Sequence, residues 1–320
     1  MSHLVISKKN EVYLQIEAEP HIYYELKDTF QFEVPNAKFS PAYKNKWWDG
    51  FIYLFSVDTK EIYVGLLDRV IQFCKDHNYT YEFTNNKFYG LPFEINESIS
   101  KEGVKDYMTS ISRHAPRDYQ IEGVYDALRH NRKLLISPTA SGKSLMIYSL
   151  VRYYVEKQQN ILVVVPTTSL VEQMYKDFAD YGWDVGSYCH KIYAGKERET
   201  DSQVIITTWQ SIYKLPRQYF SRFNVVVGDE AHQFKAKSLT TVMEKMDQVR
   251  YRIGTTGTLD NKKIHRLVLE GMFGPVHRVT TTKELMDTNR LATLNITCIL
   301  LKYDEPTRAS RSKNLYQDDK

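Results

Sequence analysis

Lys133-Leu-Leu-Ile-Ser-Pro-Thr-Ala-Ser-Gly-Lys-Ser144 decides how this chain is read. Residues 133–137 form a short apolar run of the length of a buried strand. Thr139, Ala140, Ser141 and Gly142, which follow, are all small. A loop wraps a triphosphate only when its backbone N–H groups point inward, and bulky side chains block that approach. From Lys143 the pattern turns helical, with Leu145, Met146, Leu150, Val151 and Tyr154 on or near one face. Strand, small-residue loop, Gly-Lys-Ser and helix in that order read as a P-loop. Phosphates bound there meet a helix N-terminus, whose orphan N–H groups and dipole favour negative charge. Lys143 is then placed to reach the β- and γ-phosphates, and Ser144 to hold Mg²⁺. The string departs from G-x-x-x-x-G-K-[ST] at its first position, where Ser137 stands in place of glycine.

Asn224-Val-Val-Val-Gly-Asp-Glu-Ala-His232 supplies the other half. The valines read as a strand buried on both faces of a parallel sheet. Asp229 and Glu230 follow at its carboxyl end, where open α/β sheets bind ligands. Two adjacent acids there are costly unless a cation or a water uses them. Asp229 is expected to bind Mg²⁺ and Glu230 to polarise the attacking water. The competing reading is an exposed acidic turn with a helix cap.

Further candidate strands at 161–165, 204–207 and 251–255 alternate with helical stretches, which predicts a parallel sheet covered by helices on both faces. The first hundred residues differ. Residues 4–18 alternate as an antiparallel strand pair would, 21–32 and 66–77 have helical spacing, and 51–55 and 61–64 flank a hairpin turn. Residues 79–83 close with a strand. The expected organisation is a small α+β domain over 1–103, a nucleotide-binding α/β domain over 104–288, and the start of a linker or further domain over 289–320. A strand over 291–301 would open that last part.

The 320 residues carry a net charge of +4. Residues 1–105 hold 12 Lys+Arg against 15 Asp+Glu, so −3, and the remainder holds 31 against 24, so +7. The positive excess lies with the sheet, as a phosphate backbone would require. Lys44 and Lys46 interleave with Tyr43, Trp47 and Trp48, a pattern suited to stacking plus phosphate pairing, with Trp48 expected in the core. No run of about eighteen apolar residues suggests a membrane span. Cys74, Cys189 and Cys298 are odd in number and far apart, as reduced thiols of a cytoplasmic protein are.

Taken in order, the strings resemble a superfamily 2 helicase or translocase. Pro116-Arg-Asp-Tyr-Gln120 resembles the element that reads adenine, which implies that Arg117 and Gln120 bind nucleotide. Val165-Pro-Thr-Thr-Ser-Leu170 with Gln173, and Thr207-Thr-Trp-Gln-Ser211, resemble the segments that touch the tracked strand. The resemblance thus implies contacts from Thr167, Thr168, Gln173, Thr208 and Gln210. Asp229 to His232 resembles motif II, and Thr256-Gly-Thr258 resembles motif III, so that His232, Thr256 and Thr258 would couple hydrolysis to movement. The 39–43 and 48–50 segments add a likeness to phage helicases that migrate branched DNA and remodel stalled forks. The resemblance implies a RecA-like fold, ATP and Mg²⁺ as cofactors, branched DNA as partner, a monomer, and the host cytoplasm. No Q-x-x-G-R-x-x-R string follows Thr258, so this chain alone is expected to hydrolyse ATP slowly. A feebly active half-motor and a restriction-type DNA translocase remain as alternatives. A GTPase would carry an N-K-x-D-like base reader, which the chain lacks.

Overall fold

A computed structural model of the chain describes residues 3–193, 200–233, 236–258, 263–292 and 297–300. The strand expected over 291–301 falls largely outside these residues, and 297–300 carry no strand. Residues Met1–Thr282 form one compact unit, and Lys283–Lys320 are a second.

The chain opens with β1 (His3–Lys8) and β2 (Tyr13–Glu17), paired antiparallel. After the helix Pro20–Thr29 come β3 (Gln31–Glu33), β4 (Phe51–Tyr53), β5 (Phe55–Ser56) and β6 (Glu61–Tyr63), then the helix Leu67–Asp76 and β7 (Thr80–Thr84). Their sheet runs β5-β6-β2-β1-β7, and β3 pairs with β4 in a ribbon of its own. The hairpin expected over 51–64 is therefore split. β5 pairs with β6 across the turn, while β4 leaves to pair with β3.

The remaining strands are β8 (Arg132–Ile136), β9 (Ile161–Val165), β10 (Cys189–Ile192), β11 (Val204–Thr208), β12 (Val225–Gly228), β13 (Tyr251–Thr256) and β14 (Val276–Arg278). They form one parallel sheet in the order β10-β11-β9-β12-β13-β8-β14. Alternate residues of its central strands enter two different apolar clusters. Ile161, Val163, Val165, Val225 and Val227 pack with the helices Lys143–Glu156 and Thr168–Asp180. Leu162, Val164 and Val226 face the other way. A strand points successive side chains to opposite faces, so a sheet covered twice needs apolar residues at every position.

The second cluster does not stop at the sheet. It continues through Leu267, Met272 and Phe273 of the helix Lys263–Phe273 into Leu4, Ile6, Leu66 and Val70 of the N-terminal sheet and its helix. A Cβ on Gly65 would meet the carbonyl oxygen of Glu270 at 2.0 Å, so only a glycine lets the two backbones pass this closely. The Tyr13 and Tyr63 hydroxyls both donate to Glu244 Oε1, at 2.9 and 2.8 Å. The small N-terminal sheet and the parallel sheet thus share one core.

Candidate active site

The sheet order explains how distant segments meet. β13 lies between β8, which ends at the P-loop, and β12, which ends at the acids. Neighbouring strands are about 4.8 Å apart, so the ends of β8 and β12 are about 10 Å apart with the end of β13 between them. Backbone hydrogen bonds tie β8 to β13 there, and β12 to β9 on its other side. Ser137 N donates to Thr256 O at 2.8 Å, and Asp229 N donates to Val164 O at 2.9 Å.

The P-loop is braced from inside and from behind. Ser137, in the usual glycine position, is fully buried, and its Oγ lies 2.6 Å from Ser141 Oγ. Ser141 Oγ in turn donates to Pro138 O at 2.6 Å. The serine therefore closes the loop with a hydroxyl that a glycine lacks. Ala140 (φ 66°) and Gly142 (φ 78°) take left-handed backbone, and Gly142 caps the helix Lys143–Glu156. Behind the loop, Gln120 is buried and its amide is fully used. Its Nε2 donates to Ser141 O (2.9 Å) and Gly142 O (3.2 Å), and its Oε1 accepts from Arg117 N (2.8 Å). A Cβ on Gly142 would come within 2.4 Å of that amide nitrogen. Arg117 reaches the same carbonyl indirectly. Its Nη1 donates to Tyr119 OH (2.6 Å), and Tyr119 OH donates to Ser141 O (3.0 Å). Gln120 thus contacts the loop itself, its amide turned onto the loop carbonyls, while Arg117 braces the loop through Tyr119. Thr139 and Ala140 are exposed at its tip.

Lys143 and Glu230, assigned to phosphate and water, are paired with each other across the site, Nζ to Oε1 at 2.8 Å. Glu230 has φ 46°, left-handed backbone that costs a non-glycine residue about 1–2 kcal/mol. Its Oε2 accepts from Gly257 N at 3.4 Å and lies 3.3 Å from His232 Nδ1. His232 Nδ1 is also 2.7 Å from Thr256 Oγ1, which donates to Thr258 O at 2.7 Å. Asp229 is buried, accepting from Thr255 Oγ1 (2.6 Å) and Glu230 N (2.9 Å) on Oδ1. Burial pushes its pKa up and the Glu230 charge adds to this, while the Thr255 hydrogen bond opposes both. A buried carboxylate held this way gains most from a cation beside it. Among the described residues, no group of three or more His, Cys, Asp or Glu side chains forms a complete metal cage. A metal held by Asp229 and the Ser144 hydroxyl would take its other ligands from phosphate and water, as Mg²⁺ does.

Ser144 itself is engaged elsewhere. Its Oγ is 2.7 Å from the hydroxyl of Tyr181, beyond the helix Thr168–Asp180. Nothing in the sequence pattern singled out Tyr181, Tyr119 or Thr255, because each acts through a partner distant in the chain.

The residues proposed for nucleic acid fall in two places. Thr167 and Thr168 are exposed just past β9, with Gln173 exposed on the following helix. Gln210 is exposed and its Nε2 donates to Pro166 O at 3.3 Å. Thr208 departs from the expectation. It is 4% exposed with its Oγ1 on Ser211 Oγ at 2.9 Å, because it is the last inward residue of β11. Lys44 and Lys46 are exposed on the segment between β3 and β4, beside Trp47, which is 82% exposed. Trp48, expected in the core, is half-buried, and its indole N–H donates to Phe51 O at 2.7 Å.

With this geometry in hand, similarity to known proteins becomes specific. Residues 113–261 match the family model described as type III restriction enzyme, res subunit, and residues 6–84 match the N-terminal model of DNA helicase UvsW. The ATP-dependent DNA helicase uvsW of Enterobacteria phage T4 is 29% identical over 318 residues, which is 96% of this chain. The chain is homologous to UvsW. It spans 62% of the length of that relative. A crystal structure of the UvsW helicase from bacteriophage T4 superposes with a TM-score of 0.77 at 28% identity, covering 86% of this chain and 99% of that one. A second T4 UvsW structure gives 0.79 at 28% identity, over 88% of this chain and 58% of that one. The DNA 3'-5' translocase XPB2 of Sulfurisphaera tokodaii is 25% identical over 170 residues, 53% of this chain and 36% of that protein. Likeness to UvsW thus covers both the N-terminal sheet and the parallel sheet, while the restriction-enzyme model stops at the latter.

Proposed function

We propose that this chain is the nucleotide-binding part of an ATP-driven DNA helicase or translocase that acts on branched or forked DNA in the host cytoplasm. The observation that carries the reading is the Lys143–Glu230 ion pair at the end of β13. It places the phosphate-binding cation and the candidate base within one hydrogen bond of each other, with Gly257, Thr256 and His232 against them. Lys143 would leave Glu230 for the β- and γ-phosphates, and Glu230, released, would accept a proton from the attacking water. Gly257 lines the same space, since a Cβ there would sit 3.4 Å from Lys143 Nζ and 3.9 Å from Glu230 Oε2. Bound Mg²⁺ would neutralise developing phosphate charge, and Ser144 and Asp229 are the residues that would hold it. The His232–Thr256–Thr258 chain would report the state of Glu230 to the end of β13. Likeness of the N-terminal sheet to the UvsW model favours a branched-DNA motor over a restriction-type translocase, whose model matches only the sheet.

Thr167, Thr168, Gln173 and Gln210 offer hydroxyls and amides that hold a backbone without reading bases, as a stepping motor requires. Lys44, Lys46 and Trp47 would touch a second arm. The test measures forked and linear DNA binding, and ATP turnover with each, by the wild-type chain and by a Lys44→Glu, Lys46→Glu, Trp47→Ala variant. Substitution is preferable to deleting residues 1–103, because deletion would strip Glu11 from the buried Arg132. We expect affinity to fall by about 10³-fold between about 50 and 200 mM salt if roughly six phosphates are neutralised. Fork preference should fall in the variant while single-strand binding persists. A wild-type chain that binds neither Mg–ATP nor DNA sinks the reading.

A further inference from the structure

The hydroxyl of Ser144 faces a partner that the proposed reaction does not use. Tyr181 OH is 2.7 Å from it. Tyr181 is fixed on every side. Its N–H donates to Asp177 O (3.0 Å) and its carbonyl accepts from Arg113 N (3.2 Å). Its ring packs on Tyr148 at 5.1 Å and edge-on to His114 at 5.7 Å. Tyr148 lies one turn beyond Ser144 on the P-loop helix and is itself anchored, its hydroxyl donating to Ile111 O at 2.7 Å. Tyr181 is therefore held between the end of the helix Thr168–Asp180 and the P-loop helix.

The other end of that helix is the candidate strand contact. Thr167 caps it, accepting from Leu170 N at 3.4 Å, with Thr167 and Thr168 exposed beyond β9. Its 13 residues make a rod about 20 Å long. One rigid element thus touches the P-loop serine with its last turn and carries strand-facing hydroxyls on its first.

We propose that Tyr181 is a positioning residue that draws the Ser144 proton toward itself, leaves the serine oxygen lone pairs for a metal, and so ties metal–nucleotide binding to the helix proposed to meet DNA. This rests on the nucleotide reading above. A serine hydroxyl has one proton and two lone pairs, so a partner that takes the proton decides where the lone pairs point. Such outer partners of metal ligands typically contribute about 10- to 100-fold in metal affinity.

The test uses the full chain and a fluorescent ATP analogue, titrated with Mg²⁺ and again in EDTA, for wild type and Tyr181→Phe. Tyr181→Phe keeps the ring that packs on Tyr148 and removes only the hydroxyl. We expect unchanged affinity in EDTA. The gain on adding Mg²⁺ should fall about tenfold in the variant, and the wild-type change in that gain on adding single-stranded DNA should shrink. An undiminished Mg²⁺ gain overturns the proposal, as does an equal loss with and without Mg²⁺, or a DNA-linked change that survives in Tyr181→Phe. A wild-type chain that binds no nucleotide breaks the functional reading first, and this one with it.

Discussion

The two edges of the parallel sheet both concentrate charge, and they use it in opposite ways. At the carboxyl edge, Lys143 and Glu230 form a half-buried pair on a strained backbone, with Gly257 and His232 close enough to take over as partners. At the amino edge, Glu11 sits between Lys8 Nζ at 2.8 Å and Arg132 Nη2 at 2.6 Å, all three nearly out of solvent. Burial disfavours the Glu11 carboxylate, but the Arg132 and Lys8 charges outweigh it, and its pKa falls below the ordinary value. On the function proposed above, the first network would exchange partners when phosphate arrives. The second joins the N-terminal strands to the start of β8. Two ion pairs of similar length therefore differ in what their loss would do.

Mutations should separate the edges cleanly. Lys143→Ala should lower ATP turnover by on the order of 10³-fold or more while changing thermal stability by no more than about 1 kcal/mol, since the pair it breaks is partly solvated. Glu230→Gln should lose on the order of 10²–10⁴-fold in hydrolysis yet keep nucleotide affinity, because the phosphate cation remains. Equal loss of ATP binding in both variants would contradict these roles. Glu11→Ala should do the reverse, destabilising the fold by about 3–5 kcal/mol by leaving Lys8 and Arg132 buried without their counter-charge. Its nucleotide affinity at a temperature where it is folded should match wild type, and a selective loss of affinity would mean the edges are coupled.

The smallest effect is a matter of pH. Asp126 lies near the amino edge with His277 Nδ1 at 3.0 Å and Lys133 Nζ at 3.1 Å. Burial raises its pKa, but the His277 hydrogen bond and the Lys133 charge outweigh this and bring it from 3.8 to about 2. A folded pKa below the unfolded one stabilises above 3.8 and loses that contribution as pH falls toward 2, a change of about 2 kcal/mol. Asp126→Asn should flatten the stability profile in that window, and an unchanged profile would remove Asp126 from the amino-edge network.

How much of this was readable beforehand depended on where each residue's partners lie. β9 and β12 are apolar throughout, β8 and β11 each carry three consecutive aliphatic residues, and all four sit inside the sheet, so their strand character is written in each run. β10 (Cys-His-Lys-Ile) and β14 (Val-His-Arg) are edge strands with one neighbour each, and their short polar runs carry no periodic signal. Trp48 and Thr208 were misplaced for a related reason, since burial of a single side chain is set by what packs over it.

The sequence by itself determined that a phosphate loop and an acidic pair end two buried strands, because apolar runs and small residues are local properties that survive in any arrangement of the rest. Only the tertiary structure decided that β13 stands between them, that Glu230 pairs with Lys143, that Ser144 rests on Tyr181, and that the N-terminal sheet shares its core with the parallel one. Those contacts join residues far apart in the chain, and hydrogen bonds and charge pairs of about 3 Å exist only once strand order has brought their partners within reach.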